Sequence, residues 1–367
     1  MTQLLTKKIA YDTLQNFFSE KPMVFLGTGA SCALDKKFGM PALKRHLVDT
    51  FKTDDFSKSE KTEWGAVKKD LQTDVDFESA MDRVTDGGLL KKIKQATADF
   101  LNDLNQKYAD QISMGKRKWP AIDLFKRLVA GLPETDRKLH VATSNYDLLA
   151  ESAFEHANIP YTNGFVGGIC RRLDWDRSER GVSYVEKNPK GNKILKNRKI
   201  EKHIRLYKVH GSLNTFKLLN GDIVENNSWI RHPPEDTKRL MIMPGKSKHE
   251  KLGFHRNEMT GCFDNAVKAH SAFLFIGFGF NDADILNNAL KTKLVKRKCQ
   301  GLIITRDTNK NMMKWLEESD HLWLVCKKSD ADNGSMIFNR KYNNRLSIEG
   351  IRLWETKEFS KTILGGG

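Results

Sequence analysis

"KLHVATSNYDLLAES", residues 138–152, begins as a strand, with Leu139, Val141 and Ala142 apolar, and ends as the start of a helix. Between the two stand Thr143, Ser144, Asn145 and Asp147, a polar cluster at a strand's carboxyl end. Open α/β sheets hold their ligands outside that end of their strands. A helix cap explains Asn145 or Asp147 singly, because either can accept from the first free N–H groups of the helix. It does not explain the whole cluster.

Six further apolar runs read as buried strands: "MVFLGTG" (23–29), "HIRLYKVHG" (203–211), "RLMIMPG" (239–245), "SAFLFIGFGF" (271–280), "GLIITRD" (301–307) and "HLWLVCK" (321–327). Continuous Val, Ile, Leu and Phe runs suit strands covered on both faces, hence a mainly parallel sheet. Helical patterns lie between them at 41–52, 76–108, 119–130, 147–157, 262–270, 282–295 and 309–318. The alternation predicts an α/β fold, Rossmann-like and doubly wound. Residues 50–120 read as an inserted helical lobe, and 163–202, rich in Gly, Arg, Lys and Asn, as a basic loop. Residues 1–310 form the expected catalytic domain, and 311–367 a C-terminal extension for a partner or for oligomerisation, reading as a strand pair over 330–367.

The 367 residues carry a formal net charge of +16, which favours anionic ligands or polyanionic partners. No apolar run approaches the ~20 residues of a membrane helix. The start reads as an amphipathic helix rather than a signal peptide, so a cytoplasmic location is expected. The five cysteines, Cys32, Cys170, Cys262, Cys299 and Cys326, form no CxxC pair, which argues against a disulfide framework and against a zinc knuckle. No metal is expected.

Four motifs carry chemistry. In "VFLGTGASC" (24–32), Gly27, Thr28, Gly29, Ala30 and Ser31 follow a strand, where small residues let backbone N–H groups approach a phosphate. Cys32 occupies the third-glycine position of GxGxxG, so the dinucleotide fingerprint fails by one residue, and tight packing explains the glycines equally well. The Asn145–Asp147 cluster is the second. In "RLYKVHGSLN" (205–214), His210 ends a strand before Gly211 and Ser212, which exposes an imidazole at the sheet edge, although most lone histidines are structural. In "FLFIGFGFNDADILNNAL" (273–290), Gly277 and Gly279 leave room for a ribose or adenine, and Asn281-Asp282 also reads as a plain helix cap. The stretch "PGKSK" (244–248) is no P-loop, since Leu240 stands where the first glycine belongs.

GTGAS, TSNYD, KVHGS and GFGFND, in that order over residues 20–310, resemble the sirtuins, and within them the sirtuin-like proteins of bacterial antiphage defence. "FGMP" (38–41) resembles the G-I-P of the deacetylating members. Ala42-Leu43-Lys44 then replaces their Asp-Phe-Arg, which removes an arginine contact to the cofactor, and their two zinc-binding CxxC pairs are missing. Gly279 stands where many relatives have a serine. These departures speak against protein deacetylation.

The resemblance implies NAD+ as substrate, with its pyrophosphate against Gly27–Ser31 and its adenosine half near Gly277–Asn281. It implies Asn145 and His210 about the nicotinamide ribose, Asp147 on the carboxamide, and Thr143, Ser144, Gly211 and Ser212 lining the site. Loss of neutral nicotinamide through an oxocarbenium-like state, with water as acceptor, would make the protein an NAD+ hydrolase. The enzymatic rival is a deacylase or ADP-ribosyltransferase, and the non-catalytic one an NAD+ or ADP-ribose sensor. The resemblance further implies a homo-oligomer and a separately encoded activator: a ring-forming DNA-translocating ATPase of the HerA type, a short Argonaute or a nucleotide-processing protein. Eight Lys/Arg in 187–205 allow nucleic-acid contact, but without aromatic stacking residues a solvated loop is the simpler expectation.

Overall fold

The computed structural model describes residues 4–51, 56–73, 75–190, 193–243, 259, 261–282, 285–286, 288–329 and 333–365. The "PGKSK" stretch lies outside them. Along the chain the strands are β1 (Met23–Leu26), β2 (Lys138–Thr143), β3 (Tyr161–Thr162), β4 (Phe165–Gly167), β5 (Arg171–Leu173), β6 (Ser183–Lys190), β7 (Lys193–Ile200) and β8 (His203–Lys208). They continue as β9 (Gly211–Lys217), β10 (Ile223–Glu225), β11 (Lys238–Met241), β12 (Ala272–Ile276), β13 (Gln300–Ile304), β14 (Leu322–Lys327), β15 (Gly334–Phe338) and β16 (Leu346–Glu349).

Nine strands form the main sheet in the order β16-β15-β14-β13-β12-β1-β2-β8-β3. All neighbours from β14 to β3 pair in parallel, and β15 and β16 add an antiparallel edge. Burial on both faces follows from the apolar runs. Met23 and Phe25 of β1 join Phe273 and Phe275 of β12 in one core, while Val24 and Leu26 join Leu274 and Ile276 in the core on the opposite face. The fold is thus α/β and Rossmann-like. From β1 the chain moves outward to β2 and β8 on one side, and β12 returns on the other. The strand order therefore reverses between β1 and β12, where such sheets open a crevice.

The expectation for 239–245 needs correction. That run supplies β11, which belongs to a separate antiparallel sheet of order β11-β9-β10-β5-β4. Its apolar side chains read the same in either sheet, and only its pairing with β9 assigns it. The segment 163–202 is likewise no loop. It carries β4, β5, the helix Trp175–Gly181 and the two-stranded ribbon β6-β7, whose polar strands lack the apolar alternation that marks a half-buried sheet. The predicted helix 76–108 is two helices, Phe77–Met81 and Gly87–Ser113, and the described residues of 282–295 include a helix Asn288–Lys291 followed by a π-turn over Thr292–Lys296.

Helices Lys58–Leu71, Phe77–Met81 and the start of Gly87–Ser113 surround a third core built on Trp64, Val67, Leu71, Phe77 and Ile93. Leu43 and Leu47 of the helix Met40–Thr50 also enter this core, joining the lobe to the sheet. After residue 310, β14, β15 and β16 extend the main sheet, and the helix Thr356–Ile363 buries Phe359 and Ile363 in a sheet core. No helix among the described residues is long and apolar enough to cross a membrane.

Two glycines give opposite expectations. Gly211 has φ +74°, and a Cβ there would fall 1.8 Å from the Leu240 carbonyl oxygen. Gly211→Ala should therefore destabilise the protein by well over the ~1 kcal/mol of an ordinary glycine substitution. Gly65 lies inside a helix with open space about it, so Gly65→Ala should stabilise by about 0.5–1 kcal/mol. Thermal melts of both variants check the pair, and shifts of the same sign would contradict this packing.

Candidate functional site

The crevice between β1 and β12 is closed at its base by glycines. A Cβ on Gly27 would lie 2.4 Å from the Gly277 carbonyl oxygen, and one on Gly277, at φ +56°, 2.6 Å from the Gly29 backbone. Hydrogen bonds lock the contact: Gly27 N–H donates to Ile276 O (3.0 Å), Gly29 N–H to Gly277 O (2.9 Å) and Ala30 N–H to Gly27 O (3.0 Å). Three of the amides expected to face a phosphate are thus already used within the protein. The helix that follows, Thr28–Cys32, has only five residues.

Above the crevice lies a cavity of about 570 Å³. Of the residues singled out in the sequence, Gly27, Thr28, Ser144, His210, Gly279 and Asn281 line it. Gly29, Ala30, Ser31, Thr143, Asn145, Asp147, Gly211, Ser212 and Gly277 do not; they form the layer behind it. Thr143 Oγ1 donates to Leu26 O (3.0 Å) and accepts from Asn145 N–H (3.1 Å), fixing the turn after β2. Ser212 Oγ donates to Asn214 Oδ1 (2.7 Å), and Gly211 supplies the positive φ that turns the chain from His210 into β9. Asn311 Nδ2 donates to Asn281 Oδ1 (3.0 Å), and Asn309 Nδ2 to the Gly279 carbonyl (2.6 Å).

The Asn145 amide is held by its nitrogen, which donates to Gly27 O (3.0 Å) and Ser31 Oγ (3.2 Å). Its Oδ1 is buried and accepts no hydrogen bond from the described residues. Ser31 Oγ donates to Asp147 Oδ2 (2.8 Å), and Asp147 Oδ1 accepts from Leu149 N–H (3.3 Å) at the start of the helix Leu149–His156. Asp147, one residue before the N-cap Leu148, thus accepts from the first helical N–H without being the cap itself, and the same carboxylate anchors the Ser31–Asn145 chain. Behind it, Lys208 Nζ donates to the Asp147 carbonyl and pairs with Glu151 (3.0 Å), with both side chains under 10% exposed. Such a charge is tolerated in the interior only when paired and hydrogen-bonded.

Four cavity residues escaped the sequence reading. Asp282 Oδ2 lies 3.1 Å from His210 Nε2, with both side chains buried, although the stretch "FNDAD" signals no more than a helix cap. Tyr146 donates its hydroxyl to Ile242 O and is held protonated by burial and by the neighbouring Asp282 and Glu78. Lys44 and Arg45 also line the cavity. One residue beyond the missing arginine at position 44, Arg45 lines the cavity, is exposed and has no ion pair among the described residues. No signal short of the helix's register could have placed it there.

A cavity at the switch point of a parallel sheet, bordered by glycine loops and backed by an amide with a spare acceptor, is where an open α/β protein holds its ligand. Residues 139–321 match the SIR2-like domain family, so the chain carries a sirtuin-like domain. SIR2-like domains are in general NAD-dependent enzymes. The match covers Asn145, His210 and Gly277–Asn281 and begins after the Gly27–Ser31 loop. No curated protein matches the chain.

Beside the Lys208–Glu151 pair, Glu225 of β10 accepts from Asn163 Nδ2 (3.0 and 3.1 Å) and pairs with Arg171 (2.7 Å). Burial outweighs the arginine and pushes its carboxyl up to about 7. A raised folded-state pKa means that the native protein keeps a proton that the unfolded chain releases near pH 4.5. This contribution to stability is complete below pH 4.5 and is lost as pH rises to about 7. Buried His140, His203 and His270, held neutral by desolvation, act in the opposite direction below pH 6.5. Comparing urea unfolding of the wild type with Glu225→Gln cancels the histidines. The variant should lose less stability between pH 5 and pH 8, and parallel curves would show that Glu225 does not titrate in that window.

Proposed function

We propose that the protein is an NAD+ hydrolase that releases nicotinamide and ADP-ribose. The observation that carries this reading is the convergence of His210, Ser144 and Gly27 on one cavity while Asn145, tethered to Gly27, keeps an unused buried acceptor. NAD+ combines a cationic pyridinium with an anionic diphosphate, and the cavity wall holds both signs of charge: Lys44 and Arg45, and Asp76, Glu78 and Asp282. With three loop amides already spent, Lys44 and Arg45 are the groups suited to the diphosphate.

NAD+ supplies an N-glycosidic bond whose leaving group departs neutral. The protein has only to hold the ribose, exclude bulk water and admit one nucleophile. Asn145 Oδ1 can accept from a ribose hydroxyl or orient the attacking water. His210 can take that water's proton, a step typically worth ~100- to 10,000-fold. The layer Ser31–Asp147 keeps the Asn145 amide from rotating.

The resemblance to antiphage sirtuin-like proteins extends the proposal. Such an enzyme depletes cellular NAD+ when activated, as the effector of abortive infection, and stays silent inside an oligomer or beside a separately encoded activator.

Incubation of the purified protein with NAD+, alone and with the product of its genomic neighbour, followed by chromatography, should show nicotinamide appearing. Asn145→Ala and His210→Ala should each abolish it with the circular dichroism spectrum unchanged. Arg45→Ala should raise KM several-fold and spare kcat. Near wild-type turnover in either of the first two variants would refute the site, and loss of the acetyl group from an acetylated peptide with formation of O-acetyl-ADP-ribose would select the deacylase reading.

A further inference from the structure

His210 and Asp282 come from strands that are not neighbours. His210 follows β8 and Asp282 follows β12, and β1 and β2 lie between them in the sheet. Three strand spacings amount to ~14 Å. The two side chains nevertheless meet at 3.1 Å, across the mouths of β1 and β2, where Gly27 and Ser144 also line the cavity.

Each partner is held independently. Before His210, Val209 N–H donates to Thr143 O (3.1 Å), and the His210 carbonyl accepts from Ile242 N–H (2.9 Å). On the other side, Phe280 adopts φ +56°, a conformation uncommon outside glycine, and is pinned by Phe275 (4.9 Å), Phe278 (5.5 Å) and Trp315 (5.8 Å). Two residues later, Asp282 Oδ1 accepts from Ile285 N–H (3.3 Å). This turn contact uses one carboxylate oxygen, and the other is the one beside the imidazole.

We propose that Asp282 is a positioning residue for His210: its carboxylate, 3.1 Å from Nε2 although not aligned there for a full hydrogen bond, favours the ring tautomer with the proton on Nε2, leaves the Nδ1 lone pair to act as base, and stabilises the imidazolium once a proton is taken. The role rests on the NAD+-cleaving reading of the cavity. In the hydrolysis the water's oxygen bonds to the ribose C1′ as the C1′–N bond to nicotinamide breaks, and nicotinamide leaves neutral. The proton moves from water to Nδ1, and Asp282 stays ionised throughout, as a carboxylate does when it orients a catalytic histidine. The other titratable groups on the cavity wall are Glu78, Asp76, Tyr146, Lys44 and Arg45. Asp282→Asn leaves all of them in place and retains the oxygen that accepts from Ile285 N–H.

Two readouts separate this role from the function it serves. In histidine-labelled protein followed by NMR, with His210→Gln identifying the resonance, the His210 pKa should fall by about one unit or more in Asp282→Asn. In the NAD+ assay the same variant should lose about 100-fold in kcat with little change in KM, and its acid limb should move to lower pH. Asp282→Glu should recover part of the rate. An unshifted His210 titration, or wild-type turnover in Asp282→Asn, overturns the positioning role. Should the wild type release no nicotinamide while the variant's titration still shifts, the hydrolase reading fails and the pairing stands.

Discussion

Two backbones in van der Waals contact set the terms for everything above them. Gly27 and Gly29 after β1 lie directly on Gly277 after β12, with no room for a single added methyl group on the facing side. Their N–H groups close onto Ile276 and Gly277, and the Gly277 N–H donates in turn to Ile304 of β13 (2.9 Å). This stitching makes the switch point rigid and narrow. It also consumes the amide donors that a glycine loop otherwise offers to an anion, so negative charge on a ligand falls to side chains. The two cations of the helix Met40–Thr50 that line the cavity are placed to meet it.

Behind the glycines the site is built from buried polar groups, each tied to the next. Asn145 hangs on Gly27 and Ser31, Ser31 on Asp147, and the Asp147 carbonyl on Lys208, which Glu151 neutralises. Close by, Asn163 and Arg171 bind Glu225, so the antiparallel sheet meets the parallel one over a run of paired charges. Burying such groups costs solvation that their pairing only partly returns, whereas a half-satisfied network costs more still. The arrangement therefore tolerates few conformations, which a site needs if it is to fix an amide and an imidazole about one ligand.

How much of this the sequence disclosed depended on the range of the interaction. The strands of the main sheet were legible because burial on both faces forces continuous apolar runs, while the four strand-end motifs showed as glycines and polar residues at strand ends, where packing and capping explain such residues as well. The β6-β7 ribbon was not, since a polar strand pair without a packed face leaves no periodicity. For β11 the run was visible and its sheet was not, because pairing with β9 is a tertiary choice. Asp282 shows the same limit at the site: its turn contact with Ile285 is local and readable, while its approach to His210 spans three strands and leaves no trace in spacing.

The helix Met40–Thr50 links the two halves of the cavity. Leu43 and Leu47, one turn apart, sit in the Trp64 core of the helical lobe, while Lys44 and Arg45 between them line the cavity. Lys44 also donates to the Val75 carbonyl, just before the lobe helix Phe77–Met81 that brings Phe77 and Glu78 to the opposite wall. At its start, Gly39 and Pro41 connect this helix to the glycine loop through a short 3-10 turn, Lys36–Phe38. A displacement of the lobe would therefore carry the cations with it while the glycines stayed with the sheet. The cavity's cations and the lobe's packing reside on one element, so under the proposed function the lobe's seating on the sheet would govern how the cavity meets a ligand charged at both ends.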